Sequence, residues 1–76
     1  MKRKDFPEYD NDLFADMIRR FIHNAVYREI LTDYYCDEKS TTTISRERDV
    51  STRNVWNIKE RYEDYLFDLY KRLYQK

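Results

Sequence analysis

A chain of 76 residues has room for one small domain, and with 41% hydrophobic and 17% aromatic residues it must fill its interior with large rings rather than many small aliphatics. Glycine is absent and Pro7 is the only proline, which removes Gly-rich phosphate loops, tight hairpins and βαβ crossovers and leaves an all-α domain as the expectation. The formal net charge is zero, which argues against binding nucleic acid by diffuse attraction alone. Cys36 and His23 are the only residues of their kinds, so an intramolecular disulfide is excluded and a zinc site lacks its usual ligands. No metal or cofactor is expected, and both side chains read as structural. No stretch approaches the roughly 20 apolar residues of a membrane span. Lys2-Arg3-Lys4 is followed by Asp5 and Glu8 instead of an apolar signal core, so a cytoplasmic location is expected.

Residues 1–9 carry mixed charge without periodicity and read as a flexible arm, leaving 10–76 as a single helical domain. Asp10 or Asn11 can cap the first helix. From Leu13 the apolar residues come in pairs (Leu13-Phe14, Met17-Ile18, Phe21-Ile22, Ala25-Val26), a period of four that drifts about 40° per repeat and cannot stay on one face. After Val26 the phase jumps to Tyr27, Ile30, Leu31 and Tyr34, which predicts two helices with a break near His23-Asn24 and Asn24 as a cap. The second helix is expected to end around Asp37 to Lys39. Ser40 then caps a short third helix, about 41–48, and Ser51 caps a fourth of about 52–75, roughly 37 Å long. On this last helix Val55, Ile58, Tyr62, Tyr65, Leu66, Leu69 and Leu73 follow three-and-four spacing and predict one buried stripe. Phe67, Tyr70 and Tyr74 widen the apolar arc to roughly 200°. They have two readings, packing over the first helix or a homodimer seam.

The stretch from Ser40 to Tyr62 has the spacing of a helix-turn-helix. Such a unit needs an apolar residue inside its first helix, a small one after it, an apolar residue past the turn and two on the second helix. Ile44, Ser45, Val50, Val55 and Ile58 supply them in order. Between residues 39 and 61 six basic side chains (Lys39, Arg46, Arg48, Arg53, Lys59, Arg61) face three acidic ones (Glu47, Asp49, Glu60), so the positive excess sits on this unit. With Ser51 as cap, Thr52, Arg53, Trp56 and Asn57 fall on the outward side, which can enter a major groove. Arginine can pair with guanine O6/N7, asparagine with adenine N6/N7, and threonine with either edge or a thymine methyl. Thr42, Thr43, Arg46, Ser51, Lys59 and Arg61 are placed for phosphate contacts, which orient a protein without reading sequence.

From Tyr27 to Tyr65, about half of the chain resembles region 4 of the sigma-70 family of RNA polymerase sigma factors. The resemblance rests on Arg28-Glu29 opening an apolar helix, on Ile44-Ser45 where the family carries Ile-Ala, on Asp49-Val50-Ser51 at its Gly-Val-Ser turn, and on Asn54-Val55 at its Thr-Val pair. Arg48 stands where the family usually has leucine, so its stem is expected to pack while its head reaches water. Asp49 replaces the turn glycine, and aspartate tolerates positive φ better than most residues. A chain of this length has no room for the domain that opens promoter DNA. The resemblance therefore implies a small stand-alone regulator of phage or plasmid type, with a trihelical helix-turn-helix core and a long C-terminal recognition helix. Its implied partners are double-stranded DNA and RNA polymerase.

Other readings stand beside these. Trp56 either wedges against DNA or leans on the second helix. The eight tyrosines at helical spacing read as core, since recombinase-type chemistry needs convergent Arg and His groups, and His23 lies in a different stripe. No catalytic constellation is present, and a non-enzymatic protein is expected. The acidic group Glu60, Glu63, Asp64 and Asp68 suits the alternative function, a protein-interaction module that binds polymerase or another regulator through the aromatic C-terminal helix.

Overall fold

Four α-helices, α1 (Asn11–Phe21), α2 (Ala25–Tyr35), α3 (Thr41–Arg48) and α4 (Thr52–Tyr74), make up the computed structural model, which describes residues 9–74. Each helix begins on a polar side chain that accepts otherwise unpaired backbone N–H groups, an arrangement typically contributing about 1 kcal/mol. The Asp10 carboxylate accepts from the amides of Asp12 and Leu13 at 2.9 and 3.1 Å. Asn24 Oδ1 does so for Val26 and Tyr27 at 2.9 and 3.1 Å. Ser40 Oγ caps α3 through Thr43, and Ser51 Oγ caps α4 through Asn54. The phase jump after Val26 thus reflects a real break at residues 22–24, where Ile22 leaves the helix in an extended conformation.

α2 stops at Tyr35, short of the Asp37 to Lys39 expected from the sequence. The amides of Cys36 and Asp37 both turn back to the Thr32 carbonyl, at 2.9 and 3.1 Å, and Glu38 takes a left-handed φ of 57° that no helix can continue through.

α1 packs against α2 and α4, and α3 fills the angle between the same two helices. Phe14 is at the centre of an aromatic cluster, its ring centroid 5.4 Å from Tyr35, 5.2 Å from Phe67, 5.7 Å from Tyr70 and 4.4 Å from Tyr9. Tyr9 belongs to this core: its hydroxyl also donates to the Tyr35 carbonyl at 2.7 Å. The rest of the expected arm, residues 1–8, lies outside the described residues.

On α4 the buried face differs from the expected stripe. Tyr65 and Leu73 are 47% and 43% exposed, whereas Phe67 and Tyr70 are buried beneath α1. The position of α1 rotates the covered arc, and on the side that faces Tyr34 and Tyr35 of α2 Lys59 and Glu63 are inside, where they neutralise each other at 2.9 Å. Phe67 and Tyr70 are accordingly interior residues, not a seam for a second copy. Asp10 donates its backbone N–H to the Tyr70 hydroxyl at 2.9 Å, and Tyr74 meets Tyr70 in a tilted ring contact with centroids 5.2 Å apart while remaining partly exposed.

Candidate nucleic-acid interface

The joint between α3 and α4 is made without glycine. Asp49 adopts φ 56° and ψ 46°, the left-handed conformation that reverses the chain after α3. Its backbone N–H and that of Val50 both bond the Ser45 carbonyl, the second at 3.1 Å, which satisfies the end of the helix. The Ser45 hydroxyl donates to the Val50 carbonyl, so this serine adds a tie across the turn. Val50 is half-buried against the core, and Ser51 then opens α4.

The first turns of α4 divide cleanly. Val55 and Ile58 point inward with Ile44 of α3, whereas Thr52, Arg53, Asn54, Trp56, Asn57 and Glu60 are exposed. Arg53, Trp56, Asn57 and Glu60 sit at spacings of three and four and therefore share one side of the helix. The four residues expected to read bases are thus brought together on one accessible surface, with guanidinium, amide, hydroxyl and indole side by side.

The six cations of this region fall into two groups. Arg48 is held by Asp33 and Glu29, and the Asp33 carboxylate keeps its guanidinium still more firmly protonated than usual. Lys39 donates to Glu47 at 2.8 Å, a bond that raises its pKa, and lies 3.9 Å from Asp33. Lys59 is fully buried with Glu63 and Glu60 as partners. It therefore offers no charge to a phosphate, contrary to the expectation from its place in the sequence, because its side chain points back under Trp56 towards α2. Arg46, Arg53 and Arg61 remain exposed, and among the described residues no ion pair holds them.

Arg46 lies on α3 and Arg61 about two turns beyond Arg53 on α4, so the exposed charges are spread over both helices of the unit. Thr42 is exposed, and Thr43 is half-buried with its hydroxyl engaged by Ser40 at 2.9 Å. Ser51 uses its hydroxyl oxygen as the cap of α4. Thr42 is thus the freer of the two threonines for an outside contact.

Beneath this surface lies a polar network that sequence reasoning missed. The Tyr35 hydroxyl donates to Glu63 Oε1 at 2.7 Å, and Glu63 Oε1 in turn receives the Lys59 ammonium. Burial, followed by the bond to Glu63, pushes the Tyr35 phenol well above its ordinary pKa. The one available signal was the i, i+4 spacing of Lys59 and Glu63, which ordinarily marks a solvated pair. Comparison of the chain with protein-family models, with curated proteins and with solved structures returned no match. The residues and their placement carry the functional reading.

Proposed function

We propose that this protein is a non-enzymatic regulator of transcription that binds duplex DNA sequence-specifically, inserting the N-terminal turns of α4 into the major groove. One observation carries the reading: the exposed side of α4 that bears Arg53, Trp56 and Asn57 starts at a capped turn, stands on an apolar base of Ile44, Val55 and Ile58, and is accompanied by two further exposed arginines, Arg46 and Arg61, which like Arg53 have no ion pair among the described residues. Arg53 and Asn57 would read base edges, and Arg46, Arg61 and Thr42 would hold phosphates. The likeness of Tyr27 to Tyr65 to sigma-70 region 4 supports the same assignment and adds RNA polymerase as a partner, in a cytoplasmic setting. Selection from a random duplex pool at moderate salt, followed by sequencing, tests it. An enriched motif is the expected result, and retention of no duplex sinks it.

A second reading has its own observation. An open groove of about 650 Å³ at the α1–α2 corner is lined by Phe21, Ile22, Tyr27, Tyr62 and Tyr65 with Arg61 and His23, and no acidic side chain lines it among the described residues. Such a surface suits a protein partner. A chain that ignores every duplex but is retained by RNA polymerase would favour this reading.

A further inference from the structure

The interior reaches the exposed side of α4 through one buried cation. Lys59 is 0% exposed, and its Nζ lies 4.3 Å from the centroid of the Trp56 ring and 5.4 Å from that of Tyr34. Glu63 Oε1 anchors it at 2.9 Å and is itself fastened to α2 by the Tyr35 hydroxyl at 2.7 Å. Trp56 is nonetheless 47% exposed. A cation–π contact without water between its partners is of the stronger kind, and the ring cannot swing away without stripping a buried ammonium of one of its partners. The plane of the indole is therefore set from below, while Arg53 and Asn57 flank it at spacings of three and one.

We propose that Lys59 is a positioning residue for Trp56, fixing the indole as a rigid apolar surface that meets a thymine methyl in the major groove beside the bases read by Arg53 and Asn57. The inference rests on the DNA-binding reading above. Apolar contact with the C5-methyl group is the way a side chain without matching hydrogen-bond donors distinguishes thymine. A ring already immobilised in the free protein does not lose its rotamer freedom on binding. In this arrangement Lys59 contributes to base preference without touching DNA, and its charge plays no part in the salt dependence.

The test uses the full chain, whose only tryptophan is Trp56, and the duplex enriched by selection. Lys59→Met should lower the steady-state fluorescence anisotropy of Trp56 in the free protein. It should weaken binding roughly two- to tenfold, the loss confined to duplexes that keep the critical thymine, with an unchanged salt slope. Trp56→Ala should abolish the thymine preference, adding Lys59→Met to it should change nothing more, and Lys59→Arg should restore the wild-type values. A salt slope reduced by about 1 would show Lys59 on a phosphate and overturn the proposal, as would losses that add in the double variant. If Lys59→Met does not fold, Glu63→Gln must lower the same anisotropy, and an unchanged value overturns it. A wild type that binds no duplex defeats the DNA-binding reading and the thymine contact with it. An anisotropy indifferent to Lys59→Met defeats the positioning alone, so the two failures are told apart.

Discussion

Arg48 and Asp33 meet at two points across the α2–α3 joint, Nε to Oδ2 at 2.9 Å and Nη2 to Oδ1 at 3.3 Å. Asp33 is only 3% exposed, so Arg48 neutralises a buried carboxylate on the neighbouring helix, with Glu29 taking a third bond at 3.0 Å. Arg48→Leu alone should destabilise the fold by about 1 to 3 kcal/mol, below the full cost of breaking a buried pair because a third of the Arg48 side chain faces water. Adding Asp33→Leu should recover most of that loss, since an apolar pair can replace an ion pair of similar volume. Urea unfolding of the two single variants and the double checks both statements, and a double variant no more stable than Arg48→Leu would contradict them.

Phe67 and Tyr70 are interior residues, so substitutions there report on folding rather than on association. Phe67→Ala should cost about 3 to 5 kcal/mol, enough to leave a domain of this size partly unfolded. Tyr70→Phe keeps the ring and gives up only the bond from the Asp10 amide, about 0.5 to 1.5 kcal/mol. Thermal melts followed by circular dichroism should separate the two by several degrees at least.

Asp49 holds its left-handed conformation as a residue with a Cβ. Asp49→Gly should raise stability by about 0.5 to 1 kcal/mol, since glycine takes this φ without steric cost, and Asp49→Val should lower it by about 1 to 2 kcal/mol. Denaturant midpoints for the pair supply the check. A less stable glycine variant would show that the aspartate side chain contributes more than its backbone costs.

The Cys36 thiol is pushed up to about 12, first by burial and then by the charges of Asp37 and Asp12. It also donates to the Asn11 carbonyl at 3.5 Å. The folded protein thus favours the neutral thiol. That contribution is whole below about pH 9 and fades as pH rises towards 12, in the same sense as the raised phenols of Tyr9 and Tyr35. Near neutrality the thiolate is roughly a thousandfold scarcer than for a free cysteine, so iodoacetamide should label the native chain very slowly and the urea-unfolded chain at the ordinary rate. Fast labelling of the native chain would refute the shift.

Arg53 and Arg46 should fail differently. Arg53→Ala should relax preference at one base position and cost about 1 to 3 kcal/mol on the selected duplex, whereas Arg46→Ala should weaken all duplexes alike and lower the salt slope by about 1. Titrations against the selected duplex and single-base variants at several salt concentrations distinguish the two roles. Equal losses on every sequence for both would refute the division between reading and anchoring.

The helices were legible because their caps are local: Asn24, Ser40 and Ser51 each cap the helix expected of them, and of Asp10 and Asn11 it is Asp10 that caps the first. Where α2 ends was less legible, since the left-handed turn at Glu38 is made by a residue that does not announce one. The outward set Thr52, Arg53, Trp56 and Asn57 follows from helical spacing once Val55 and Ile58 are placed inside. Lys59 escaped because its environment is built by Tyr34 and Tyr35 on another helix, more than twenty residues away in the chain. The flank of α4 under α1 escaped for the same reason: which of two adjacent apolar arcs is covered depends on where a third helix comes to rest.

The left-handed aspartate between α3 and α4 also bears on how this protein can change over generations. An aspartate codon becomes a glycine codon by one nucleotide substitution, and position 49 lies outside the surface formed by Arg53, Trp56 and Asn57. On the proposed DNA-binding reading, a lineage that alters those residues to recognise a new target, losing stability in the process, has a compensating mutation within a single step. Specificity and robustness can therefore drift at separate positions, and an engineer who installs Asp49→Gly first should find more tolerated combinations on α4.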